Sequence, residues 1–175
     1  MWCFYGLPFV HPDSLLVITI NGCGLIIEII YVTIFLLYSP WLKRWKILVA
    51  LVIETIFFAC VIFVTLQFFP TTKDRTRVVG ILCIIFNVIM YASPLTVMRR
   101  VIRTKSVKFM PFFLSLAYFC NGIVWLIYAL LKFDLFILVP NCCGAVLGMV
   151  QLILYAIYYR STQWDTTQHV QLAYV

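Results

Sequence analysis

The chain has 175 residues, 65% of them hydrophobic and 11% charged, with a mean hydropathy of +1.07. Soluble domains carry roughly 45–50% apolar and about 25% charged residues, so this composition excludes a water-soluble enzyme and a free nucleic-acid binder. The net charge of +7, from 13 Lys and Arg against 6 Asp and Glu, reads as control of membrane topology.

The first six residues, Met1-Trp2-Cys3-Phe4-Tyr5-Gly6, have neither the basic region nor the long apolar stretch of a signal peptide. They read as the last turn of a membrane helix that stops at Gly6-Leu7-Pro8, so the chain is expected to begin inside an element. A hydrocarbon core about 30 Å thick takes ~20 apolar helical residues to cross. Five runs of that length follow, over residues 14–38, 47–69, 78–98, 111–131 and 135–159. The joints between them are basic: Lys43, Arg44 and Lys46; Lys73, Arg75 and Arg77 with Asp74; Arg99, Arg100, Arg103, Lys105 and Lys108; then Lys132 with Asp134. Residues 160–175 read as a polar tail.

Backbone amides in lipid must be bonded internally, which leaves helices or a closed barrel, and barrel strands alternate polar with apolar residues. These runs do not alternate. The predicted fold is therefore an all-α polytopic membrane protein with five transmembrane helices. Lys and Arg number nine on the side of the first joint, third joint and tail, and four on the other. That asymmetry predicts a cytosolic C-terminus. Trp41, Trp45 and Trp164 read as interfacial anchors.

The chain repeats itself. Leu15-Leu16-Val17-Ile18-Thr19-Ile20-Asn21-Gly22-Cys23-Gly24 aligns with Leu135-Phe136-Ile137-Leu138-Val139-Pro140-Asn141-Cys142-Cys143-Gly144 at an offset of 120 residues. Upstream, Trp2-Cys3-Phe4-Tyr5-Gly6 echoes Trp125-Leu126-Ile127-Tyr128-Ala129 at an offset of 123, the difference being absorbed by a longer joint over 7–13. Trp2 thus pairs with Trp125, and Asn21 with Asn141. Residues 78–159 form a whole three-helix unit, 1–38 the remnant of a first unit, and 39–77 a connector helix with its flanking loops. A single connector gives both units the same orientation.

Trp2, Tyr5-Gly6-Leu7-Pro8, Thr19-Ile20-Asn21-Gly22, Tyr91-Ala92-Ser93-Pro94-Leu95, Lys105-Ser106-Val107-Lys108-Phe109-Met110-Pro111-Phe112-Phe113-Leu114-Ser115-Leu116 and Pro140-Asn141 resemble the plant SWEET (MtN3/saliva) sugar transporters over nearly the whole chain to about residue 159. The family pattern is seven helices, as two parallel three-helix repeats joined by a fourth helix. The resemblance implies that this chain corresponds to a member lacking the first helix and most of the second.

A sugar offers hydroxyls, which need donors and acceptors, and an apolar ring face, which stacks on an aromatic plane. Asn carries both hydrogen-bonding roles on one amide, and Trp supplies the plane with an N–H edge. Four asparagines lie at membrane depth: Asn21, Asn87, Asn121 and Asn141. Helix–helix hydrogen bonding is the ordinary explanation for one such residue taken singly. The repeat-matched pair Asn21 and Asn141 points instead to a substrate site, since a pseudo-two-fold axis brings equivalent positions to the centre. Trp125 follows Asn121 by four residues, which puts both on one helix face. The resemblance agrees: it implies that Asn21 and Asn141 bind the sugar, that Trp2 and Trp125 flank it, and that Asn87, Met90 and Asn121 shape the pocket. Bulky residues at those last three positions imply a hexose carrier in preference to a sucrose carrier.

Proline inside a helix removes a hydrogen bond and kinks it. The resemblance makes Pro94 and Pro111 hinges of alternating access, while Pro111 by itself reads equally well as a helix-start proline. It also places Tyr5 and Asp134 at an outer gate, where Asp134 could equally be a loop charge. Glu28 and Glu54 are the acids inside spans, and neither has a repeat partner, so proton coupling is not expected. The seven cysteines lie in or beside apolar runs with no C-x-x-C spacing and read as packing residues. His11 and His169 are solitary, so no metal site and no cofactor are expected.

Two functions are consistent with the sequence. The first is uniport of a hexose such as glucose through a site between repeats. The second is a non-transporting subunit that docks on complete SWEET subunits and alters them. Expected partners are a small sugar and the bilayer, with homo- or hetero-oligomers of SWEET subunits and no nucleic acid. The plasma membrane is the expected location, with the tonoplast as an alternative.

Overall fold

The computed structural model describes residues 1–164, and among them all regular structure is helical. In chain order the elements are α1 (Trp2–Tyr5), α2 (Leu15–Tyr38), α3 (Trp41–Phe68), α4 (Thr72–Met90), α5 (Ala92–Thr104), α6 (Phe112–Lys132) and α7 (Leu135–Tyr158). Five helical stretches are long and apolar enough to cross a membrane, with α4 and α5 together forming one of them. Their apolar side chains are largely exposed, as at Ile26 (61%), Ile53 (62%) and Leu131 (76%). In water such surface would drive aggregation; against lipid it is the solvated face.

The helices run past the apolar runs at charged ends. The span expected over 47–69 begins instead at Trp41, so Lys43, Arg44 and Lys46 are helical and the first joint shrinks to Ser39 and Pro40. Lys and Arg are good helix formers, and Pro40 in extended backbone serves as the N-cap. The arginine of this turn also closes the preceding helix: Arg44 donates from Nε to the Ser39 carbonyl and from Nη2 to the Leu37 carbonyl, both at 2.6 Å. The third span likewise starts at Thr72 rather than 78. Thr71 and Asp74 form a reciprocal cap there, with the Asp74 N–H donating to Thr71 Oγ1 at 3.2 Å and that hydroxyl donating to Asp74 Oδ2 at 2.5 Å.

The described chain divides into two compact units, Met1–Cys83 and the part from Ile84 onward. In the first, α1 is one helical turn, as the sequence of Trp2 to Gly6 predicts. It lies close against α2, since a Cβ on Gly6 would sit 2.9 Å from the Ile18 backbone nitrogen. The following loop is held by the start of α4. Thr76 Oγ1 donates to the Val10 carbonyl at 2.5 Å, and Arg75 reaches the Phe9 carbonyl at 3.2 Å and the Phe69 carbonyl at 2.7 Å.

In the second unit α6 and α7 pack through small residues. A Cβ on Gly122 would lie 2.7 Å from the Ala145 nitrogen, and one on Gly148 2.8 Å from the Phe119 backbone. Without a hydrophobic drive between helices in lipid, such close backbone approach supplies the dispersion contact. At one end Met98, Val101, Val107, Met110 and Leu154 form a buried cluster. The α5–α6 turn is fixed to the end of α7, where the Val107 N–H donates to Thr162 Oγ1 at 2.8 Å and the Ser161 hydroxyl to the Lys105 carbonyl at 2.6 Å. Of the expected tail over 160–175, residues beyond 164 lie outside the described part of the chain.

Candidate functional site

The two repeat-matched asparagines have the same local geometry. Asn21 on α2 donates from Nδ2 to the Val17 carbonyl at 2.9 Å, and Asn141 on α7 donates from Nδ2 to the Ile137 carbonyl at 2.8 Å. Each amide therefore uses one N–H on its own helix, four residues back. One N–H and the carbonyl oxygen remain, a donor and an acceptor that suit a hydroxyl. Both residues are half-buried. Among the described residues neither makes the interhelical bond that a single intramembrane Asn ordinarily makes, and the Asn87 and Asn121 side chains make no hydrogen bond.

The repeat extends to the aromatics. Trp2 meets Tyr5 edge-on with ring centroids 5.4 Å apart at 75°, and Trp125 meets Tyr128 at 5.5 Å and 84°. A T-shaped contact presents the positive edge of one ring to the negative face of the other and fixes both orientations. Tyr128 was not among the residues singled out from sequence, although the alignment of Trp2–Gly6 with Trp125–Ala129 contains it opposite Tyr5. Trp125 and Asn121 lie one turn apart on α6, as their spacing predicts.

The pocket-shaping and hinge residues fall in more varied settings. Asn87 is half-buried near the end of α4, Asn121 is exposed on α6, and Met90 is 69% exposed at the last residue of α4. Pro94 lies in the first turn of α5, three residues after Tyr91, where the long third span is interrupted. Having no N–H, it leaves the Met90 carbonyl without its helical donor, which accounts for a break at that place. Pro111 is the N-cap of α6 in extended backbone, not an interior proline; its carbonyl accepts from the Ser115 N–H at 3.2 Å. The proline that lies inside a helix is Pro140, immediately before Asn141 in the continuous α7.

Tyr5 is fully buried, with His11 stacked on it at 4.7 Å between centroids and 23° between planes. His11 also pairs through Nδ1 with Thr76 Oγ1 at 3.3 Å. Asp134 is buried as the N-cap of α7, with Oδ1 accepting from the N–H groups of Phe136 at 2.9 Å and Ile137 at 3.3 Å. It is thus a helix cap rather than an ordinary loop charge. Glu28 and Glu54 are exposed along their helices.

Five helices long and apolar enough to cross a membrane, with asparagines along them, give the architecture of an integral membrane protein. The family described as sugar efflux transporters for intercellular exchange matches residues 1–42 and 77–163, leaving most of α3 outside the match. Among curated relatives, the chain is 64% identical to the bidirectional sugar transporter SWEET5 of Arabidopsis thaliana over 94% of its length, and 57% identical to SWEET4 of the same species over 94%. It is 52% identical to the putative bidirectional sugar transporter SWEET7d of Oryza sativa subsp. japonica over 93%. The chain spans 69%, 66% and 59% of those three proteins. The solved structure of a eukaryotic SWEET transporter superposes with a TM-score of 0.86 at 41% identity, covering 91% of this chain and 74% of that one. The chain belongs to the SWEET family, a family of transporters rather than enzymes.

Proposed function

We propose that this chain takes part in bidirectional, facilitative transport of a sugar, with a hexose such as glucose favoured over sucrose. The observation that carries the reading is the duplicated chemistry. Asn21 and Asn141 each tie one amide N–H to their own helix and leave an acceptor and a donor for sugar hydroxyls. Trp2 and Trp125, each in a T-shaped contact with a tyrosine, supply flat faces for the sugar ring. The relatives named as bidirectional sugar transporters support the same substrate class. The hexose preference rests on the resemblance, which implies that bulky residues at the positions of Asn87, Met90 and Asn121 go with hexose carriers. Pro94, in the first turn of α5 where it removes one helical hydrogen bond, is the proposed hinge. The basic ends of the spans favour a cytosolic C-terminus, and the plasma membrane is the proposed location.

The test is uptake of labelled glucose and sucrose into vesicles carrying the protein, beside Trp125→Ala and Asn141→Ala. Glucose uptake that either substitution abolishes supports the reading. Uptake that survives both overturns the site. No uptake by the unaltered chain, with co-purification on an intact SWEET subunit, would favour the non-transporting subunit.

A further inference from the structure

Tyr91 stands at the interruption between α4 and α5. Its backbone stays helical there (φ −69°, ψ −12°), and its N–H is shared between the carbonyls of Asn87 and Val88, each at 3.2 Å. Its side chain crosses to α7, where the hydroxyl donates to the carbonyl of Pro140. The approach depends on a glycine: a Cβ at residue 144 would lie 3.0 Å from the Tyr91 hydroxyl oxygen. At the repeat-equivalent Gly24 a Cβ would meet nothing within 4 Å.

The two asparagine helices differ at the preceding residue, which is Ile20 in α2 and Pro140 in α7. Ile20 has an N–H for the carbonyl four residues back. Pro140 has none, so the Phe136 carbonyl loses its helical donor, and the helix is weakened one residue before Asn141. The Tyr91 hydroxyl meets the weakened place at the carbonyl that directly precedes Asn141.

We propose that Tyr91 is a positioning residue for the sugar site: by holding the Pro140 carbonyl it fixes Asn141 at the turn of α7 that lacks the Phe136–Pro140 hydrogen bond, and ties it to the span that carries Pro94. This inference rests on the reading of Asn141 as a sugar ligand. A hydroxyl bond of this kind, lost without changing the ring, is expected to raise the KM for glucose roughly five- to tenfold and to leave the maximal rate within about twofold.

The experiment compares the unaltered protein, Tyr91→Phe and Gly144→Ala in vesicles, by KM and maximal rate for glucose. It adds amide hydrogen exchange of α7 in each. Both variants are expected to raise KM and to speed exchange about tenfold at residues 141–145, with the rest of α6 and α7 unchanged. Pro140→Ala restores an N–H to the helix, so adding Tyr91→Phe to it is expected to shift KM little. An unchanged KM in Tyr91→Phe, or faster exchange spread evenly over all helices, would overturn the proposal. If the unaltered protein moves no sugar, the transport reading fails separately. Exchange at 141–145 then still decides whether Tyr91 holds this turn: a local rise supports the contact's role and no rise refutes it.

Discussion

Asn21 and Asn141 bind their own helices by the same bond, Nδ2 to the carbonyl four residues earlier, at 2.9 and 2.8 Å. Two residues 120 positions apart thus present the same remaining donor and acceptor. Replacing either by Asp removes the Nδ2 donor and sets a carboxylate against a backbone carbonyl. Asn21→Asp and Asn141→Asp are both expected to weaken glucose binding at least tenfold, measured by equilibrium binding in detergent. A variant that binds as tightly as the unaltered protein would remove its asparagine from the site.

The two Trp–Tyr edges make a second matched pair. Tyr128→Leu keeps apolar bulk but removes the ring that orients Trp125, an aromatic pair of this type contributing about 0.5–1.5 kcal/mol. The expected outcome is a three- to tenfold loss of glucose affinity, with a smaller loss for Tyr128→Phe. Tryptophan fluorescence quenching by sugar gives the measurement, and equal affinities across the series would count against an orienting role.

Two glycines within apolar helices are expected to respond oppositely. Gly122→Ala places a Cβ 2.7 Å from the Ala145 nitrogen and should destabilise the α6–α7 pair by about 1–3 kcal/mol. Gly24→Ala meets open space, and the gain in helix propensity should stabilise by up to about 1 kcal/mol. Thermal unfolding in one detergent ranks the two variants against the unaltered protein.

Asp134 caps α7 through two backbone N–H groups. Asp134→Ala leaves both without that acceptor and is expected to cost about 1 kcal/mol, whereas Asp134→Asn keeps an oxygen at the cap and should cost less. Amide exchange at Phe136 and Ile137 reports the cap directly. Equal protection in all three proteins would show that the carboxylate is not what holds this turn.

Much of the architecture was legible because the bilayer imposes local demands. Each span must bond its own backbone and present about 20 apolar residues, so the number of spans and their centres are written in the runs themselves. The ends were less legible. Lys43, Arg44 and Lys46, or Lys73 to Arg77, break an apolar run without breaking a helix, and hydropathy reads only the former. The internal repeat made Trp2, Trp125, Asn21 and Asn141 stand out among other tryptophans and asparagines. It also contained Tyr128, which a closer reading of the same alignment picks out.

By itself the sequence determined an integral membrane protein of five helical spans and its membership of the SWEET family, because composition, periodicity and ordered motifs act along the chain. The tertiary structure decided how the polar groups are used. It decided that Asp134 caps a helix, that Pro111 starts one while Pro140 lies within one, and that the Tyr91 hydroxyl bonds a carbonyl 49 residues away. Such contacts depend on how closely two helices approach. At Gly144 that distance is set by the absence of a side chain against a tyrosine from a distant segment, and no local pattern records which ring will fill the space.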